Sequence, residues 1–176
     1  MNNLNKYLSQ EEYEKLLNLE LYDRCKLLVE ILFDGKFDKN NKSYIEHLYR
    51  VSSNMSSEEG KILGLLHDVV EDIDDITFND LKEFGISKDI INALILITNE
   101  KKVKEYTKEE KLDIYNKKID KIIESGNMLV IELKLSDISD TYDEERIRLL
   151  SKDKQDWFKL KYGNNIKKLK KVYKGE

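Results

Sequence analysis

Not one proline interrupts the 176 residues of this chain, and that absence constrains its fold more than any other single feature. Proline is the residue that most reliably ends a helix, so the helix boundaries here must be written in side-chain caps and glycines. Ser9 with Glu12 and Thr107 with Glu110 have the spacing of capping boxes, and Thr77 with Asp80 opens a short helix that Gly85 closes. Between such signals the apolar residues recur every three or four positions. Leu27, Leu28, Ile31 and Leu32 mark a helix over 21–33, ended by Asp34 and Gly35. Ser43 caps a helix through Ile45, Leu48 and Val51, and Ser56 or Ser57 caps one through Leu63, Leu66 and Val70 that Asp74 and Asp75 break. Ser87 starts another through Ile90, Leu94 and Ile97. Residues 128–131 have the β-branched content of a buried strand, but Ile131, Leu135 and Ile138 continue at helical spacing, so the reading is helix. With amphipathic helices over 108–124 and about 153–173, the expected fold is all-α: one compact helical domain spanning 1–176.

Charge narrows the classes of partner. The chain is 38% charged with a net charge of -4, which offers no overall attraction to nucleic acid or to an acidic membrane but is compatible with a small phosphorylated ligand. Lys167, Lys168, Lys170, Lys171 and Lys174 read as a solvated face, favourable at a helix C-terminus. Cys25 is the single cysteine, so neither an internal disulfide nor a thiolate metal cage is possible, and a reducing, cytoplasmic setting is expected. The first residues carry Asn, Lys and Glu without the apolar stretch of a signal peptide, and no run is long and uncharged enough to cross a bilayer. Monomer and homodimer are both compatible with this composition.

The chemistry concentrates in Gly64-Leu65-Leu66-His67-Asp68-Val69-Val70-Glu71-Asp72. One of the two histidines sits beside an aspartate inside an apolar helical run, where ionisable groups cost several kcal/mol unless a charge or a metal compensates. On a continuous helix His67 and Glu71, and likewise Asp68 and Asp72, fall one turn apart and form a polar strip. The other histidine, His47, lies on a second apolar helix. Either each imidazole is a core group satisfied by one hydrogen bond, or the two together with carboxylates hold a first-row divalent ion such as Mn²⁺, Fe²⁺ or Zn²⁺ with positions open to water. Asp137 is the best further carboxylate, since it interrupts the apolar helix 133–138 as His67 and Asp68 interrupt theirs. Lys134, one turn before Asp137, and Lys39, in the polar loop before His47, are placed to neutralise substrate phosphates.

The order His47, His67-Asp68, Asp137 resembles the HD-domain metal-dependent phosphohydrolases. Within them it is most similar to the hydrolase domain of the RelA/SpoT family and its small stand-alone alarmone hydrolases. Tyr44-Ile45-Glu46-His47 looks like that family's Tyr-Ile-x-His, the run Leu65 to Asp72 like its Leu-Leu-His-Asp-x-x-Glu-Asp, and Lys134-Leu135-Ser136-Asp137 like its Lys-Leu-Ala-Asp. The resemblance covers about 35–141. It implies an HD-type helical bundle in which His47, His67, Asp68 and Asp137 bind one divalent ion, typically Mn²⁺, with Fe²⁺, Zn²⁺ or Mg²⁺ as alternatives. It implies that Glu71 and Asp72 act on the attacking water, and that Lys39, Tyr44, Lys134 and Thr141 contact substrate. The implied reaction cleaves a phosphate or pyrophosphate ester of a nucleotide, most specifically the 3'-pyrophosphate of guanosine-3',5'-bis(diphosphate). A nucleotidase with another substrate, or a module that binds metal or nucleotide without turnover, are the alternatives. Two departures bear on substrate: Asp38, Lys39 and Asn41 stand where the family carries an Arg-Lys pair and a glycine, and Thr141 stands where it carries asparagine. An acidic side chain cannot stack on a base as a guanidinium does.

Overall fold

A computed structural model describes residues 2–99 and 105–175. Among these there is no strand, and the only ladder-like pairing is an isolated antiparallel bridge between Phe37 and Ser43. The all-α expectation holds. The chain divides into two compact units, Met1–Thr98 and Asn99–Glu176, described here in turn.

The first unit follows a short 3₁₀ turn at Asn3–Lys6 with helices α1 (Gln10–Leu17), α2 (Leu21–Leu32), α3 (Tyr44–Ser53), α4 (Glu58–Leu66), α5 (Val69–Asp72), α6 (Phe78–Glu83) and α7 (Lys88–Ile97). Helix α4 is its hub, packed by α2, α3 and α7. Being surrounded explains why Ile62, Leu63, Leu65 and Leu66 are all buried, so that beyond the exposed Glu58, Glu59 and Lys61 the helix lacks a polar side. Where α3 and α4 cross, Gly64 lies against the backbone of Ser52: a Cβ there would stand 2.7 Å from Ser52 Cα. Ser52 Oγ donates to the Lys61 carbonyl at 2.8 Å across the same crossing. At the N-terminus, Asp80 caps α6 with Thr77 and also accepts from the Asn3 amide at 2.7 Å and from Asn3 Nδ2 at 3.0 Å, fastening the 3₁₀ turn. Cys25 is wholly buried, and burial pushes its thiol up to about 12, so it is an inert core residue.

The second unit contains α8 (Lys108–Glu124), α9 (Met128–Thr141), the short α10 (Glu144–Ile147) and α11 (Lys152–Lys174). Helices α8, α9 and α11 pack pairwise. Their buried residues include Ile119 and Ile122 of α8, Val130, Ile131 and Leu133 of α9, and Phe158, Tyr162 and Leu169 of α11. The 128–131 run is helical, as its periodicity indicated. No helix among the described residues is long and apolar enough to cross a membrane.

One local expectation fails. The run from 58 to 72 is not a continuous helix: α4 stops at Leu66 and α5 begins at Val69, with His67 and Asp68 in the turn between them. The cause is a side chain competing with the backbone. His67 Nδ1 lies 2.8 Å from the Gly64 carbonyl, the oxygen that the Asp68 amide would take if the helix ran on. The polar strip expected from regular helical spacing is therefore redrawn, with Glu71 and Asp72 on a separate helix.

Candidate metal centre

The site in the first unit is assembled from the start of α3 and the α4–α5 turn. Tyr44, the first residue of α3, stacks on Phe33 with ring centroids 5.2 Å apart and 8° between planes. One turn on, His47 is buried, and its ring meets that of His67 edge to face at 5.3 Å. Asp68 sits among them. Its Oδ2 accepts from Tyr44 Oη at 2.6 Å and lies 3.0 Å from His67 Nε2 and 3.8 Å from His47 Nε2. Burial opposes ionisation of this carboxyl. The positive field and hydrogen bond of His67, the field of His47 and the Tyr44 hydroxyl outweigh it and hold Asp68 well below the usual carboxylate range.

The protonation logic of His67 bears on what this cluster can hold. A carbonyl only accepts, so the hydrogen of a neutral His67 ring must sit on Nδ1, facing Gly64. Nε2 would then present a lone pair to a carboxylate oxygen 3.0 Å away, an arrangement that calls for a positive charge at that point. Either the imidazole takes a second proton or a cation lies between the two atoms. One ligand atom each from His47, His67 and Asp68 fall within 4.8 Å of one another. Two imidazoles and a carboxylate are a donor set that suits a first-row divalent ion, and Gly64 fixes the orientation of one of them as an outer-shell acceptor. The residues present fit such an ion.

Around this cluster, Asp72 ends α5 and is exposed, yet its carboxyl is pushed up to about 6 by partial burial and by the negative fields of Asp68 and Glu71, against the Tyr44 hydroxyl and Lys36. Glu71 is likewise exposed. Lys36 Nζ donates to the Asp72 carbonyl at 3.2 Å. Sequence reasoning passed over Lys36 in favour of Lys39, which is exposed in the same loop; a lysine in a polar loop carries no local mark of its target. Tyr44, expected to meet substrate, has its phenol on Asp68. The loop itself is rigidly cross-braced. Asp38 Oδ1 accepts from the Asn40 amide at 2.8 Å and the Lys42 amide at 2.9 Å, and Asn41 adopts a left-handed φ of 59°.

In the second unit, Asp137 of α9 is paired with Lys134 at 2.6 Å, and Thr141 Oγ1 lies 3.5 Å from its other oxygen. Both members of the ion pair are largely buried, with side chains 16% and 15% exposed, so each charge answers the other's loss of water. Thus the structure gathers His47, His67 and Asp68 in one cluster and joins Asp137, Lys134 and Thr141 in another group on α9. Gly64 was missed as a site residue; its signal was a glycine within an otherwise apolar helix, where it weakens the helix unless something presses close. No family model matches the chain, and a search of curated proteins finds no match.

Proposed function

We propose that this chain is a metal-dependent phosphohydrolase of the HD type, cleaving a phosphate or pyrophosphate ester of a nucleotide. Its most specific form is the 3'-pyrophosphohydrolysis of guanosine-3',5'-bis(diphosphate). The observation that carries the reading is the buried meeting of His47, His67 and Asp68, with His67 Nδ1 already committed to Gly64 and Nε2 turned to a carboxylate. His47, His67 and Asp68 would hold the ion, Mn²⁺ foremost and Fe²⁺, Zn²⁺ or Mg²⁺ as alternatives, and the family resemblance adds Asp137 as a further ligand. When bound, the ion supplies Lewis acidity toward a phosphoryl oxygen and acidity to a water.

The remaining work falls to the chain's own side chains. Tyr44 holds the Asp68 carboxylate through its hydroxyl and so positions a ligand. Asp72, with its carboxyl raised to about 6, is ionised at neutral pH yet basic enough to accept a proton from an attacking water, and Glu71 beside it raises that basicity. Lys36 and Lys39 place positive charge on the loop, and α9 adds the Lys134 ammonium and the Thr141 hydroxyl, as candidates for phosphate and sugar contacts. One observation favours a substrate other than the alarmone: the Asp38 carboxylate is spent on amides of its own loop, where the resembled family offers a cationic contact. The proposed setting is the cytoplasm.

Metal analysis and a nucleotide panel test the proposal together. Purified protein should carry or take up about one equivalent of Mn²⁺, Fe²⁺ or Zn²⁺, an Asp68→Ala variant should lose it, and the Mn²⁺-loaded wild type should hydrolyse at least one phosphorylated nucleotide far faster than Glu71→Ala or Asp72→Ala. Metal without turnover on any substrate would replace the enzyme by a binding module. Failure to bind any of these ions would end the metal reading itself.

A further inference from the structure

Helix α11 turns Phe158, Tyr162, Asn165 and Leu169 into the second unit. The opposite face presents Asp153, Asp156, Leu160, Lys167, Lys171 and Lys174 at helical spacing, all of them exposed. Three properties of this outer face have no explanation in the unit's own packing. Leu160 is 58% exposed and, with Leu112 and Trp157, floors a shallow groove of about 290 Å³ whose rim carries Asp153 and Asp156 from α11 and Lys108 and Glu109 from α8. Gly163, mid-helix, would meet nothing within 4 Å if it bore a Cβ, although glycine there weakens the helix relative to alanine. And the charges are segregated, acidic toward the start and basic toward the end. The helix dipole favours that order but is indifferent to which side of the helix carries it; Lys154 and Lys159 stand in the first half of α11, off this line, and Lys152, beside it in the first turn, pairs with Asp156 at 3.0 Å in an exposed bridge that a partner's lysine can share.

We propose that this face pairs with itself: α11 packs antiparallel against α11 of a second copy of the chain, about a two-fold axis beside Gly163 and Asn164. In this register Asp153 faces the partner's Lys174 and Asp156 faces the partner's Lys171, and the symmetry repeats both pairs. Leu160 lies on the aliphatic stem of the partner's Lys167. The missing side chain at Gly163 lets the two backbones approach. A parallel arrangement would set acid against acid and base against base. An unrelated helix would have to bring the complementary order of charges with it, whereas the second copy already carries it.

Sedimentation velocity of the full chain tests this without any assumption about activity. Across about 5 to 200 μM the wild-type mass should rise from that of the 20.9 kDa chain toward twice that value, with the association weakened by added salt. An Asp153→Lys/Asp156→Lys variant and a Lys171→Glu/Lys174→Glu variant should each remain monomeric, since each sets like charge against like at every one of the paired positions. Their equimolar mixture should associate again, because each then supplies what the other lacks. Gly163→Leu should remain monomeric while keeping its helical circular dichroism. A wild type that stays at 20.9 kDa throughout, a dimer that survives in either charge variant, or a mixture that fails to associate would each overturn the proposal.

Discussion

Replacing Gly64 by alanine sets two known effects against each other, and the structure decides the sign. In an exposed helix the change would gain about 1 kcal/mol, because alanine loses less backbone freedom on folding. Here the new Cβ would stand 2.7 Å from Ser52 Cα, 2.9 Å from Ser52 N and 3.3 Å from Ser52 Cβ. Carbon atoms in contact settle at about 3.5 to 4.0 Å, so α3 and α4 must part by roughly 1 Å. The nearest atoms are backbone, and both helices are held by buried neighbours, Leu48 and Val51 on one side and Leu63 and Leu65 on the other. Overpacking of this kind costs about 1 to 3 kcal/mol or more, and its upper part applies where backbone must move. The expected net loss is about 1 to 2 kcal/mol, seen as a Tm lower by about 2 to 8 °C. Because the Gly64 carbonyl is also the acceptor for His67 Nδ1, Mn²⁺ affinity should fall about tenfold in the same variant. Gly163→Ala is the control: its Cβ meets nothing within 4 Å, so at low micromolar concentration it should raise stability by about 1 kcal/mol. Urea titrations followed by circular dichroism, with calorimetry for the metal, read all three. A Gly64→Ala protein as stable as the wild type would refute the close-approach argument.

Tyr44→Phe keeps the ring on Phe33 and removes only the hydroxyl from Asp68, so it should cost about 1 to 2 kcal/mol without metal; unchanged denaturation would deny that bond any role. Asp72 yields a pH prediction for the metal-free protein. Its carboxyl is raised from 3.8 to about 6, so between those values the folded chain holds more protons than the unfolded one. Its contribution is fully present below about pH 4 and is lost as pH rises through about 6. Asp72→Asn should remove that downward slope, by less than about 1 kcal/mol since the residue is exposed and screened, and an identical slope in the variant would contradict the assignment. Asp80→Ala deletes the acceptor of two Asn3 donors and of the Thr77 amide and should cost about 2 to 3 kcal/mol. Hydrogen exchange should then speed up first at residues 3–8, and protection unchanged there would count against the fastening role.

Helix ends were legible because caps are local chemistry. Ser9 with Glu12, Thr77 with Asp80 and Thr107 with Glu110 all form reciprocal capping boxes, and each needs only residues three apart. The choice left open between Ser56 and Ser57 falls to Ser57, which accepts from the Gly60 amide. Ser43 shows the limit: it precedes α3 as expected, yet no side-chain bond caps that helix, whose start is held by packing instead. The meeting of His47 with His67 and Asp68 was anticipated from polar groups on apolar helices, since burying them demands compensation. The break at His67 and Asp68 was not, because the periodicity of apolar residues is blind to an imidazole that takes a carbonyl from the backbone ladder. Nor could spacing show that the Tyr44 hydroxyl would reach Asp68, 24 residues on; that is a choice among several partners made by tertiary packing.

The bond from His67 to the Gly64 carbonyl spans three residues, and a loop that short costs little entropy to close. Its consequence is one of timing. Once α4 has formed, the ring plane and hydrogen position of His67 are set by its own helix, with Asp68 next in the chain, before any distant contact is required. His47 arrives separately, on a helix that must find the Gly64 notch to dock. An excursion that loosens α3 therefore leaves the His67 ring oriented while Asp68 loses the Tyr44 hydroxyl, and recovery of the cluster becomes the return of one imidazole and one phenol to a turn already arranged.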